Sequence, residues 1–146
     1  MNGKKYELLQ DQTIEWCGRT LYRICALRDF GSVHAYDVGG YIECEHNLSQ
    51  DGNAWVSDNA WVCGDAWVSG NACVCGDARV YGNARVCDNA RVRDNARVSG
   101  NACVCDNARV SGNAWVSDNA RVCDNARVSD NALVCGDARV CGNADG

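Results

Sequence analysis

The sequence predicts an all-β fold: a parallel β-helix closed at one end by a small N-terminal β cap. Three observations carry that expectation. One six-residue unit, [Gly/Asp]-[Asn/Asp]-Ala-x-Val-x, repeats fifteen times from Gly52 to Cys141 without insertion or deletion, and Gly142-Asn143-Ala144 begins another copy. Each unit pairs one small with one branched apolar residue, the pattern of a coil that stacks on itself. The 146 residues include one Phe, one Met and no Pro, so an apolar content made mostly of Ala, Val and Cys suits a thin, layered interior better than a spherical one.

Residues 1–51 do not follow the repeat and read as the cap, with residues 52–146 as the solenoid. Short alternating segments predict strands over Lys5–Leu9, Thr13–Trp16, Thr20–Leu27 after a Cys17-Gly18 turn, and Tyr41–Glu45 after Gly39-Gly40. The bulky residues Trp16, Leu21, Tyr22, Ile24, Leu27, Phe30, Tyr41 and Ile42 all fall in this segment. A solenoid needs such a cap, because its first coil otherwise exposes strand edges and an open core.

Within a unit, strand side chains alternate between faces, so Ala and Val point one way and the x between them the other. Burying Ala and Val leaves both x positions outside. The Gly/Asp-Asn/Asp pair then makes the corner, since these residues tolerate positive φ and bond their own backbone. Three units close a coil of 18 residues, and fifteen units give about five coils. Asn stacked on Asn at the corners is expected to form side-chain amide ladders.

The net charge of −5 is unevenly distributed: all four Glu and both Lys precede residue 51, and the repeats use only Asp and Arg. No long single-sign run appears, so nucleic acid is not an expected partner. No stretch approaches the ~20 apolar residues of a membrane span, and the first ten residues contain no apolar leader core. The expected location is the cytoplasm. Twelve Cys then read as reduced thiols rather than a disulfide framework.

Val-Ser-Asp-Asn-Ala-Arg and Val-Cys-Gly-Asp-Ala-Arg resemble the bacterial hexapeptide-transferase repeat, a resemblance that implies a left-handed coil. The junction segments Leu21-Tyr22-Arg23-Ile24, Ala26-Leu27-Arg28-Asp29-Phe30-Gly31, Gly39-Gly40-Tyr41-Ile42-Glu43 and Asn47-Leu48-Ser49-Gln50-Asp51-Gly52-Asn53-Ala54-Trp55-Val56 are similar to a family of bacterial and prophage-encoded β-helix proteins that includes the YdcK-like proteins. This implies the fold and a phage or prophage setting, and brings no catalytic residues with it.

Many left-handed β-helices are acyltransferases that use a His general base. Here His34 and His46 both lie in the cap and no repeat carries His, so the chain is expected to be non-enzymatic and to need no cofactor. Residues eighteen apart stack in outward columns. One column reads Ser69, Cys87, Cys105, Cys123, Cys141, with Cys103 on the same face as Cys105. A straight ladder offers two or three ligands where tetrahedral zinc wants four, so no metal is assigned, and the ladder reads as free thiols with metal or redox chemistry left open.

Arg91, Arg109 and Arg127 form another column, with Arg93 beside it. Stacked like charges need neutralising, by corner Asp residues or by an acidic partner or phosphate. Trp55, Trp61 and Trp67 occupy the outward position of the first coil, one per side, and read either as packing under the cap or as a protein contact. Trp61 shares its column with Arg79, Arg97, Trp115 and Leu133, the first choice for a partner face. The final coil, through Val134, Val140 and Ala144, is expected to join copies into a homo-oligomer. The function expected is a rigid protein-binding or structural module, one specific version being an inhibitor of a host defence system. The alternative is a hexapeptide-repeat acyltransferase.

Overall fold

The computed structural model describes residues 4–16 and 18–142. Each repeat contributes one two-residue strand made of the outward x and the Val that follows it, from Trp55–Val56 to Arg139–Val140. Strands eighteen positions apart pair in parallel, as Arg91 with Arg109 and Val92 with Val110. Three flat walls result. One is an eight-stranded sheet and the other two have five strands each.

The alternation rule places Ala and Val inside. Every repeat Ala from Ala54 to Ala126 and every repeat Val from Val56 to Val128 is fully buried. They form one continuous cluster with the cap residues Tyr6, Ile24, Phe30, Ile42 and Leu48. Between walls the chain turns through a left-handed residue, Asp94 at φ 62° or Gly70 at φ 66° for example. A Cβ added at Gly70 would lie 2.9 Å from the Asp88 backbone nitrogen, yet Asp occupies the same corner in other coils, so local adjustments of a few tenths of an ångström accommodate it. The turn closes with a bond such as Ala96 N–H to the Arg93 carbonyl, 3.2 Å.

The expected amide ladders are present. Asn71 donates to Asn89, Asn89 to Asn107 and Asn107 to Asn125, each at 3.2 Å. A second ladder runs from Asn83 through Asn101 and Asn119 to Asp137.

The N-terminal segment differs in detail from its sequence reading. Lys5–Leu9 and Thr13–Trp16 belong to one long strand, β1 (Tyr6–Trp16), whose register shifts between Leu9 and Thr13. It pairs antiparallel with β2 (Arg19–Ala26), which pairs antiparallel with β3 (Val38–Ile42). Of the expected Cys17-Gly18 turn, Cys17 lies outside the described residues, while Gly18 sits at φ 75°. Gly39-Gly40 lies inside β3 rather than before it, and the strand expected to reach Glu45 ends at Ile42, giving way to a 3₁₀ turn over Glu45–Asn47. The reason is close packing: a Cβ on Gly40 would sit 2.4 Å from the Ala60 carbonyl oxygen, and one on Gly39 would sit 2.4 Å from that of Val56.

The coil also starts earlier than Gly52. Tyr41 pairs in parallel with Trp61, and Leu48 with Val68, each twenty residues apart instead of eighteen. This irregular turn makes about six turns in all rather than five. Asn47 holds it: its buried side chain accepts the Glu43 and Cys44 N–H groups, both at 3.0 Å, and donates to the Gly64 and Ala66 carbonyls at 3.1 and 2.9 Å. All its hydrogen-bonding capacity is therefore spent on backbone groups of the irregular turn and the coil above it.

A second buried polar group fastens β1 to the coil. Lys5 is fully buried, with its Nζ 2.8 Å from the Ala54 carbonyl and 5.0 Å from the Phe30 ring centroid. Burial pulls its ammonium pKa down to about 8, with Arg28 adding to the shift and Asp51 opposing it. The Tyr6 hydroxyl donates to the Leu48 carbonyl at 2.6 Å, and burial pushes its pKa up.

Candidate interaction surfaces

The first wall carries the row Tyr41, Trp61, Arg79, Arg97, Trp115, Leu133 in unbroken register. Its lower end belongs to the cap. Trp61 is only 6% exposed, packed against Trp16 (ring centroids 4.4 Å) and Tyr81 (6.0 Å). The long β1 strand reaches far enough to lay Trp16 across the wall, and that is why this tryptophan does not face solvent. The Arg79 guanidinium lies 5.1 Å from the Trp61 ring and that of Arg97 lies 5.7 Å from Trp115. The upper end is open: Trp115 is 39% and Leu133 63% exposed. Trp115 is nonetheless held in place, because its Nε1–H donates to Ser99 Oγ at 2.9 Å. An open trough of about 490 Å³ runs over Ile14, Tyr41, Trp61, Arg79 and Arg97.

The second wall reads Trp55, Cys73, Arg91, Arg109, Arg127. Trp55, like Trp61, is covered, here by Tyr6 and Phe30 at 6.4 and 5.2 Å between rings. Both residues are therefore corrected from contact candidates to core. Arg91, Arg109 and Arg127 are exposed and share a depression of about 390 Å³ with Asn89, Asn107 and Asn125. The third wall reads Trp67, Arg85, Cys103, Arg121, Arg139. Trp67 stays 40% exposed with His46 stacked beside it, 6.2 Å between rings.

The corner aspartates do not neutralise the arginines. Six of them turn along the coil axis, and each accepts the backbone N–H of the corner residue eighteen positions later. Asp94 to Gly112 (3.0 Å) and Asp118 to Gly136 (3.1 Å) are examples. That N–H has no partner in the strand ladder, so the carboxylate replaces water there. The ion pairs lie in the cap, Lys4 with Glu45 (3.1 Å) and Arg19 with Glu43 (2.8 Å). Among the described residues, no arginine of the three repeat rows makes one.

His34 is exposed and its backbone N–H donates to Asp37. Neither it nor His46 faces a second titratable group in a base-plus-orienter arrangement among the described contacts. Val134 is buried in the core cluster and the half-buried Val140 packs against it, while Ala144 lies outside the described residues.

The thiols are arranged more tightly than a straight ladder. None of the eleven described cysteines is in a disulfide, and the Sγ atoms of Cys87, Cys103 and Cys105 all lie within 4.8 Å of one another. Hydrogen bonding from Cys87 pulls the Cys103 thiol down to about 6 against the opposing effect of burial, with Cys105, Arg121 and Arg85 adding to the fall. Cys105 is pushed up to about 12, mostly by burial. The diagonal from Cys87 to Cys103 escapes a column-by-column reading. The spacing that reveals it is sixteen, the distance from the second outward position of one coil to the first outward position of the next.

The chain matches the family model of the YdcK beta solenoid repeat over residues 72–88, 78–93, 84–100, 102–118 and 120–136. No curated protein matches the chain.

Proposed function

Because its repeats belong to the YdcK-like β-solenoid family, we propose that this chain is a non-enzymatic, rigid module that docks a protein partner through arginines held in register on its walls. The observation that carries this reading is the Arg91, Arg109, Arg127 row: three guanidiniums stacked at a coil spacing of about 4.8 Å, with the nearby carboxylates spent on backbone N–H groups. Like charges so close cost free energy in the unbound chain. An acidic surface relieves that cost and presents carboxylates to planar, multi-donor forks. Charge complementarity of this kind also speeds encounter and fixes register.

The neighbouring wall supplies what arginines alone lack. Arg97, Trp115 and Leu133 combine a guanidinium with two exposed apolar side chains, the composition that dominates protein interfaces. The described part of the coil is uninterrupted, so these rows sit on a scaffold with little freedom to rearrange, and preorganisation lowers the entropic cost of binding.

The finer setting is also part of this reading. No helix is long and apolar enough to cross a membrane, and free cysteines suit a reducing cytoplasm. A phage or prophage setting is what the resemblance at the junction segments implies, and inhibition of a host defence system is one specific version of the proposed task.

Affinity capture from a bacterial host lysate tests the proposal. The bait is compared with an Arg91→Glu, Arg109→Glu, Arg127→Glu variant, and with an Arg85→Glu, Arg121→Glu, Arg139→Glu variant of equal net charge. A partner held by wild type, lost from the first variant and weakened by added salt supports the reading. A partner insensitive to the first variant, or robust turnover of acetyl-coenzyme A by the wild type, overturns it.

A further inference from the structure

The third wall holds a second, chemically distinct feature. Cys103 and Cys105 occupy both outward positions of one repeat, and Cys87 lies beneath Cys105 in the preceding coil. Cys73 and Cys75 also share a repeat, but Trp55 and Ser57 lie below them and Arg91 and Arg93 above. Three thiols therefore converge across two adjacent coils, where the other pair remains a pair.

Convergence is what the straight ladder lacks. The three Sγ atoms lie within 4.8 Å of one another. Sulfurs bound at about 2.3 Å to a single ion stand about 3.8–4.0 Å apart. From a separation of at most 4.8 Å, shifts of about 1 Å or less bring the sulfurs to that spacing. All three side chains are half-buried; Cys103 and Cys105 line an open trough of about 600 Å³ with Arg85, Arg121 and Cys123, and the Cys87 sulfur lies within 4.8 Å of both. The trough leaves a fourth coordination position on the solvent side.

Charge fits as well. Three thiolates around a divalent or monovalent ion leave one or two net negative charges. Arg85 and Arg121 stand directly below and above Cys103 in the same row and supply two positive charges within a side chain's reach. Three sulfur ligands select soft, thiophilic ions over hard ones. The adjacent Asp88 and Asp106 carboxylates accept corner N–H groups at 3.2 Å each and the Cys87 and Cys105 thiols at 3.9 and 4.0 Å, and metal binding replaces the two thiol contacts while the corner bonds stay.

We propose that Cys87, Cys103 and Cys105 form a binding site for a single soft d¹⁰ metal ion of the Zn(II), Cd(II) and Cu(I) class, on the third wall and separate from the arginine row of the second.

Cd(II) titration of the reduced full chain tests this, read by thiolate-to-metal charge-transfer absorbance and by native mass spectrometry. Expected are one tightly bound Cd(II) per chain, able to displace Zn(II) and not itself displaced by Mg(II), and an affinity at least ten-fold lower in Cys87→Ser and in Cys103→Ser. Cys87→Ser is a change the coil already accepts, since Ser69 stands below it in the same column. Circular dichroism confirms that each variant keeps the coil. Cys135→Ser and the Cys123→Ser, Cys141→Ser pair are expected to retain the ion. Retention of Cd(II) by folded Cys87→Ser and Cys103→Ser, loss of it in the Cys123→Ser, Cys141→Ser pair, or absence of a charge-transfer band overturns the proposal.

Discussion

The cap and the coil bury apolar residues by opposite means. In the coil, each Val and Ala stands on an identical neighbour, and no single unit differs much from the next. In the cap, every important contact occurs once: Asn47 bracing the irregular first turn, Lys5 on the Ala54 carbonyl, Trp16 across Trp61, Gly39-Gly40 against the first repeat. Stability in a stacked array is close to a sum over units and their interfaces. Damage to one coil should therefore be local and moderate, whereas damage at the junction should undermine the surface on which the first coil rests.

The largest effect is expected at that junction. Gly40→Val forces a side chain into occupied space, because its Cβ would stand 2.4 Å from the Ala60 carbonyl oxygen and 2.8 Å from the Val56 side chain. Overpacking against backbone has no flexible end to yield, and a loss of about 3 kcal/mol is expected in chemical denaturation. A milder loss than that of a mid-coil Val→Ala variant would break the contrast between the two regions.

Inside the coil, Val92→Ala removes two buried carbons from a filled layer and should cost about 2 kcal/mol. Val134 is 5% exposed and packs beside half-buried Ala132 and Val140, so Val134→Ala should cost about 1 kcal/mol. The same measurement, made on both variants, shows how far the units are interchangeable.

Lys5 sharpens the comparison through pH. Its folded pKa, about 8, lies below the ordinary lysine value, so between about pH 8 and pH 10 the unfolded chain holds a proton that the folded chain has released. Stability from this group therefore rises with pH across that window, by up to about 1 kcal/mol per pH unit. Denaturation midpoints at pH 7.5 and 9.5 should show wild type gaining on Lys5→Met as pH rises. Parallel profiles would mean that Lys5 is not held as the fold places it.

Legibility in the sequence follows the same division. Period, inward Val and Ala, outward rows and amide ladders are set by local alternation repeated many times, so one rule reaches every wall. The early start of the coil was not legible, because Tyr41 and Leu48 pair at a spacing of twenty and lack the Asn-Ala-x-Val pattern. The burial of Trp55 and Trp61 depends on where β1 lies in space, which alternation does not specify. Trp67 and Trp115 obey the outward rule because no cap strand crosses them. Nor does alternation say which way a corner carboxylate points. Positive φ at the corner aims it along the axis, toward an N–H eighteen residues away and not toward an arginine.

The smallest expected effect gives the most direct test of the central claim, that residues eighteen apart are vertical neighbours throughout the coil. Asp94→Gly keeps the left-handed corner and removes only the carboxylate that caps Gly112 N–H, at a cost of about 0.5–1 kcal/mol. Amide hydrogen exchange resolved by residue should then quicken at Gly112 and stay unchanged at Gly100 and Asp118. Faster exchange at Gly100 or Asp118 with Gly112 unaffected would contradict the eighteen-residue coil, and with it the rows of arginine, tryptophan and cysteine built upon it.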